Sequence, residues 1–280
     1  MLTERRGGTR AAMLLALGVF LPPALAGAQA VSLRIHPHVG DTLHTRLEQH
    51  MEVSASRLGP GRAPKPVSTS VAIDLRTIVQ SSLATSTLVL TIVDSADMRT
   101  SDVHGAQQVA AAESMLRGQQ LLLLLAIDGS VQSARDGRGR PVPHEMAEAM
   151  SAMPAVFPRR PVRVGEEWSR EMPLPASGPL GARGTGYVNA VFRLDSLAHG
   201  GSVAFVSMHG DVRPESESEG VKLTGAINGS MRLDRVRGWM TDSYVTVLIR
   251  SMVTPPVASG RSPMSFVTRV TQRLRTMDKR

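Results

Sequence analysis

Cysteine is absent from all 280 residues. That absence excludes disulfides, thiolate zinc sites, iron–sulfur ligation, a cysteine nucleophile and lipid attachment at a lipobox. Aromatic residues are nearly as scarce, with five Phe, two Trp and two Tyr making up 3% of the chain. Lysine is scarce too: Lys65, Lys222 and Lys279 stand among 32 basic residues, and the other 29 are arginine. Nucleic-acid binding calls for a clustered basic face, with aromatics interleaved where the strand is single. Here the arginines are spread along the chain, and several fall in alternating patterns, so no nucleic-acid partner is expected. The formal charge of +8 still favours weak attraction to anionic surfaces.

What is present is ordinary for a globular chain: 42% apolar and 20% charged residues, in a length that allows one or two domains. Residues 1–30 read as a signal peptide. Arg5, Arg6 and Arg10 form a positive start, residues 11–26 are apolar apart from Pro22-Pro23, and Ala28-Gln29-Ala30 offers a small-x-small cleavage site. The uninterrupted apolar run 11–21 is too short for a span of roughly 20 residues, so cleavage is expected and no stable membrane span after it. Removing three Arg and one Glu leaves 250 residues and a formal charge of +6. The expected location is the periplasm or the exterior.

Most of the remaining chain alternates apolar and polar residues with period two, which predicts half-buried antiparallel strands. Leu43, Thr45, Leu47, Gln49, Met51 and Val53 alternate with Thr42, His44, Arg46, Glu48, His50 and Glu52. The same pattern runs through 71–79, 88–92, 188–194, 245–249 and 264–275. Turn chemistry at Asp128-Gly129, His199-Gly200-Gly201 and 234–238 predicts strand connections there. Segments 59–66 and 213–220 read as exposed loops, and Asn228-Gly229-Ser230 as a tight turn that happens to match a glycosylation sequon. Two short helices are expected: 106–116, with Val109, Ala112 and Leu116 on one face, and 143–153, with Met146, Met150 and Met153 together. The apolar run 121–127 fits a strand buried on both faces.

A short motif recurs. Pro37-His38-Val39-Gly40-Asp41 resembles Pro161-Val162-Arg163-Val164-Gly165-Glu166 after a one-residue shift, and each copy launches a strand. The aromatics divide at the same place, because residues 31–156 contain none. The expected organisation is an N-terminal β-rich half (31–142), a Met-rich linking helix (143–156) and a C-terminal β-rich half (157–280). The fold class is mainly β (α+β): two antiparallel halves forming a curved sheet or half-barrel, with two short helices.

Motifs for chemistry fail one after another. His36-Pro37-His38 with His44 and His50 suggests metal ligands, but Arg46 stands between the strand histidines and would repel a cation. His144-Glu145-Met146-Ala147-Glu148 lacks the second histidine of a zinc-protease motif. No Gly-x-Ser-x-Gly is present, and Gly181-Ala182-Arg183-Gly184-Thr185-Gly186 lacks the lysine of a phosphate loop. Glu166-Glu167 and the run Glu215, Glu217, Glu219 sit in turn-like segments without a sugar cleft to flank. Neither a catalytic residue nor a cofactor is assigned.

The signal sequence, the succession of amphipathic strands, the run 121–127 and Met146, Met150 and Met153 together resemble the exported lipoprotein carriers of Gram-negative envelopes. In that family a curved half-barrel and covering helices hold acyl chains. The resemblance is one of style, without a diagnostic motif, and extends equally to exported β-rich envelope proteins of unknown function. It implies a non-catalytic module that binds a lipid or other hydrophobic ligand, or an envelope protein. Met146, Met150, Met153, Leu121 and Leu123 are the expected ligand contacts, in keeping with the adaptability of methionine. A hydrolase with a dispersed site and a structural envelope component stay open as alternatives.

Overall fold

The computed structural model describes residues 30–57, 65–151, 155–173, 186–214, 221–254 and 262–277. The alternating segments become strands β1 (Thr42–Arg57), β2 (Val67–Ser82), β3 (Ser86–Thr100), β4 (Gln120–Ala126), β5 (Val131–Asp136), β6 (Glu167–Pro173), β7 (Gly186–Ala198), β8 (Val203–Pro214), β9 (Val221–Asp234), β10 (Trp239–Val253) and β11 (Met264–Met277). All eleven join one antiparallel sheet in the order β5-β4-β3-β2-β1-β11-β10-β9-β8-β7-β6. The sheet is open, with β5 and β6 as its edges. The chain's first and last strands meet in the middle, where β1 and β11 pair from His44↔Met277 to Arg57↔Met264. The two sequence halves are therefore two meanders joined along one seam.

The expectation of two short helices is met in part. Helix α1 (Ala106–Leu116) turns Val109, Ala112 and Leu116 to its half-buried side and lies against β3, where Arg117 donates to the Ala96 carbonyl at 3.2 Å. Helix α2 (His144–Ser151) falls within the expected 143–153 and packs against β5. The expected turns fall where their chemistry placed them, at β4–β5, β7–β8 and β9–β10. Asn228-Gly229-Ser230 is a correction. It lies in mid-strand on β9, opposite His209, Met208 and Ser207 of β8, because pairing on both sides overrides a local turn preference. Most of the expected loops 59–66 and 213–220 fall outside the described residues.

The recurring motif folds the same way twice. His38 N–H donates to the Asp41 carboxylate, and Arg163 N–H donates to that of Glu166, at 3.1 and 2.8 Å. Gly40 and Gly165 adopt φ of +88° and +86°, which L side chains resist. Each glycine N–H then bonds a strand carbonyl, Gly40 to Val79 and Gly165 to Leu194. Immediately beyond Val79 and Leu194 the register with the next strand shifts, as at a β-bulge. Turn, acidic cap, receiving residue and bulge thus correspond in the two halves.

Direct cross-strand partners share a face, so the register sorts every strand residue to one of two sides. Over β6–β9 the apolar side is sealed by two crossing segments, 31–36 and 155–162. Val31 and Val162 exchange backbone hydrogen bonds of 2.8 and 2.9 Å, Ile35 N–H reaches the Ile127 carbonyl, and His36 N–H reaches that of Gly238. Leu33, Ile35, Phe157 and Val162 pack there with Trp168, Ala190, Phe192, Leu194 and Leu233 as the main core. Trp168 stacks on Phe192 with ring centroids 5.8 Å apart, and its indole N–H bonds the Val156 carbonyl at 2.8 Å. This closes the end of the sheet where the β4–β5 and β9–β10 turns lie.

Candidate functional site

The apolar side is not covered uniformly. One cross-sheet row reads Leu194, Val206, Met231, Ser243, Leu274, Leu47, Ile73 and Ala96, from β7 across to β3. Its flanks are buried: Leu194, Val206 and Met231 under the crossing segments, and Ala96 beside α1. Its middle, Ser243, Leu274, Leu47 and Ile73, is only half-buried. The next strip repeats this, for Ile227 is buried while its neighbours Val247, Val270 and Met51 are half-buried. Val53, Val71, Leu75, Val245 and Ile249 extend the strip. The result is a trough-like band of mostly aliphatic, half-buried side chains along β10, β11, β1 and β2, bordered by buried flanks and interrupted by Ser243, Gln49 and Gln272.

The residues expected to contact ligand fall near one edge of this trough. Leu121 is buried and pairs with Thr91, whereas Leu123 is half-buried beside Val89 on the apolar side. The run 121–127 was expected to be buried on both faces; Leu122 through Leu125 are instead half-buried, because β5 beside them is short and little packs over either side. Met146 and Met150 are half-buried on α2, and the Met146 sulfur accepts a 3.7 Å contact from the Gln119 amide. That brings Met146 to the foot of β4, two residues before Leu121. Met153 lies outside the described residues. Sequence reasoning missed the central trough itself. Its signal was present in the alternation of 43–53, 71–79, 245–249 and 264–274; the pairing of β1 with β11 was not.

The opposite side is charged over β1 and the neighbouring parts of β2 and β3. Arg46 bonds Glu48 at 2.9 Å and grips both oxygens of Asp74 at 3.0 and 3.2 Å, while Ser95 completes Asp74 at 2.7 Å. Arg76 pairs with Asp94 at 3.0 Å, and Arg99 grips Asp97 with two nitrogens. These carboxylates are tied to guanidinium groups, an arrangement that orders the face. Two recesses open on this side, of about 420 Å³ over β1–β3 and about 570 Å³ over β7–β11, and both include Tyr244 and Arg273.

The histidines are dispersed. His44 and His50 share the charged side of β1, and His38 stands beside Asp41. His36 meets the Ser82 hydroxyl at 3.1 Å through Nδ1, and Ser82 in turn meets Thr87 at 3.4 Å, a polar chain that fastens segment 31–36 to the sheet. Among the described residues no three His, Asp or Glu side chains converge as a metal site, and no helix is long and apolar enough to cross a membrane.

Neither a protein-family model nor a curated protein matches the sequence. Among solved structures, the chain is similar to lipovitellin, studied for its lipid–protein interactions, with a TM-score of 0.48 and 7% identity over 86% of this chain and 25% of that one. It therefore spans about a quarter of lipovitellin's length. It is also similar to DynF, from the dynemicin biosynthesis pathway of Micromonospora chersina, with a TM-score of 0.25 and 11% identity over 96% and 94% of the two chains. A third similarity is to the outer membrane protein OprG of Pseudomonas aeruginosa, with a TM-score of 0.23 and 7% identity over 88% and 100%. Likenesses at these scores assign neither family nor function.

Proposed function

We propose that this protein is exported to the periplasm or the exterior and acts there as a non-catalytic binding module for a hydrophobic ligand, such as a lipid acyl chain. The observation that carries the reading is the central trough, in which Leu47, Met51, Ile73, Val247, Val270 and Leu274 stay half-exposed between buried flanks. Covering an apolar side chain gains about 25 cal/mol per Å² removed from water, and a ligand is the occupant that collects this gain here. An unbranched chain lying along the strands would meet mostly aliphatic groups, with Ser243 and the paired Gln49 and Gln272 as polar exceptions. Helix α2 stands at the β5 edge with Met146 and Met150, whose side chains adapt to irregular apolar shapes.

Native mass spectrometry of the full chain purified from the envelope of its host tests both halves of the proposal. The expected spectrum shows a mature chain beginning at Val31 and carrying lipid. A fluorescent stearate probe should bind the delipidated protein at about micromolar concentration. Met51→Asp and Val247→Asp should each abolish probe binding while the protein still melts cooperatively, whereas Met146→Asp should weaken it only partly. A ligand-free, folded protein that ignores the probe would overturn the reading.

A further inference from the structure

The larger recess on the charged side belongs to neither the trough nor the ion-pair lattice, and its lining is chemically specific. In a chain so poor in aromatics, Phe157, Trp168 and Phe192 serve the core. Phe205 and Tyr244 are the aromatics that stand exposed among the described residues, at 39% and 46%, and both line this one recess. They rise from β8 and β10 on either side of β9. Between them β9 contributes Ser230, which faces Ser207 on one side and Tyr244 on the other, so small side chains leave the gap open.

The polar groups around the gap are balanced: Arg232 and Arg273 donate, Asp195 and Asp242 accept, and their formal charges cancel. Several hold unused capacity. Arg273 and Asp242 approach only to 3.6 Å, and Nε of Arg273 and Oδ1 of Asp242 are buried without a hydrogen-bond partner. A buried polar atom left unpaired is costly, and a ligand offering both a donor and an acceptor relieves that cost once these side chains turn toward it. Arg232 commits Nε to Thr241 and keeps its other nitrogens, and Asp195 receives Ser207 on one oxygen alone.

We propose that this recess binds a neutral saccharide. An anionic ligand would meet Asp195 and Asp242, a cationic one Arg232 and Arg273, and an acyl chain would desolvate all four. A sugar ring presents apolar C–H faces to Phe205 and Tyr244, and hydroxyls that each donate and accept, which matches alternating carboxylates and guanidiniums. The recess volume of about 570 Å³ lies within the usual range for small-molecule sites, roughly 300–1,000 Å³. It occupies the side opposite the trough, so each site is tested by its own substitutions.

Calorimetric titration of the full mature chain with maltose, cellobiose and chitobiose tests this, with glucose and glucose 6-phosphate as the charge comparison. At least one disaccharide should bind with a dissociation constant of about 1 mM or tighter. Tyr244→Ala and Phe205→Ala should each weaken it by about threefold to tenfold, as loss of one aromatic contact implies. Asp242→Asn should weaken it at least as much, and Tyr244→Phe should keep most of the affinity, which holds the test sharp should an alanine variant misfold. Silence from all three disaccharides at about 10 mM would overturn the assignment. So would tighter binding of glucose 6-phosphate than of glucose, or unchanged affinity in folded Tyr244→Ala and Asp242→Asn proteins.

Discussion

Asp128 shows how much one residue can decide in a sheet without disulfides. Its side chain is almost wholly buried in the β4–β5 turn, and its carbonyl accepts the Phe157 N–H at 3.0 Å, joining the first half to the start of the second. Burial alone would push its carboxyl up. The Ser130 hydroxyl at 2.7 Å, the Ser130 N–H and the Arg159 guanidinium together outweigh that and hold it below its ordinary value. A carboxyl depressed by folding contributes stability that is complete above the unfolded pKa, near 4, and fades as pH falls through the lower folded value. Asp128→Ala should therefore cost about 2 kcal/mol at neutral pH, through lost hydrogen bonds to a buried turn. Asp128→Asn should cost less and flatten the acid side of the stability profile, a difference that thermal melts between pH 2 and 7 would show. An unchanged acid limb in the Asn variant would mean that other carboxylates govern it.

At the scale of elements, the duplicated turn makes a paired prediction. Gly40 has open space around it, and Gly165 has only the Arg193 guanidinium at 4.0 Å, so an added Cβ meets no wall at either position. The penalty for Gly40→Ala and Gly165→Ala is thus backbone strain alone, about 1–2 kcal/mol each and nearly equal, measurable by urea unfolding. A large inequality would show that the two turns carry different loads despite their matching bonds. This turn was legible in the sequence, as were most of the strands, the three strand connections and helix α1, because each rests on neighbours close along the chain. The trough and the saccharide recess were not. Leu47 and Leu274, or Tyr244 and Arg273, become neighbours only through strand pairing, and period-two alternation names the side of a strand without naming its partner. The sequon at Asn228 misled for the same reason: a local turn signal lost to pairing with β8 and β10. The Met stripe drew attention to α2 through helical spacing, which marks a face but says nothing of what that face meets.

At the scale of the molecule, the seam between β1 and β11 is the last contact the chain can make and the one on which both sites depend. Each meander can form from neighbouring hairpins, yet the trough needs β10, β11, β1 and β2 side by side, and Tyr244 and Glu48 flank Arg273 only once β11 is seated between them. Closing so long a loop carries a large entropic cost before any pairing repays it, which places the seam late in folding and makes refolding slow for a domain of this size. A chain ending at residue 262 lacks β11 and leaves β1 and β10 as long, amphipathic, unpaired edges, each a template for another molecule. Its expected behaviour on size-exclusion chromatography is oligomer or aggregate, with no binding of the stearate probe. Supplying a peptide of residues 262–280 in trans should restore a monomer and the trough together, since the missing strand has a fixed register with both neighbours. A truncated chain that runs as a folded monomer and still binds the probe would show that the two halves close around ligand without the seam, and that the trough is not where the ligand lies.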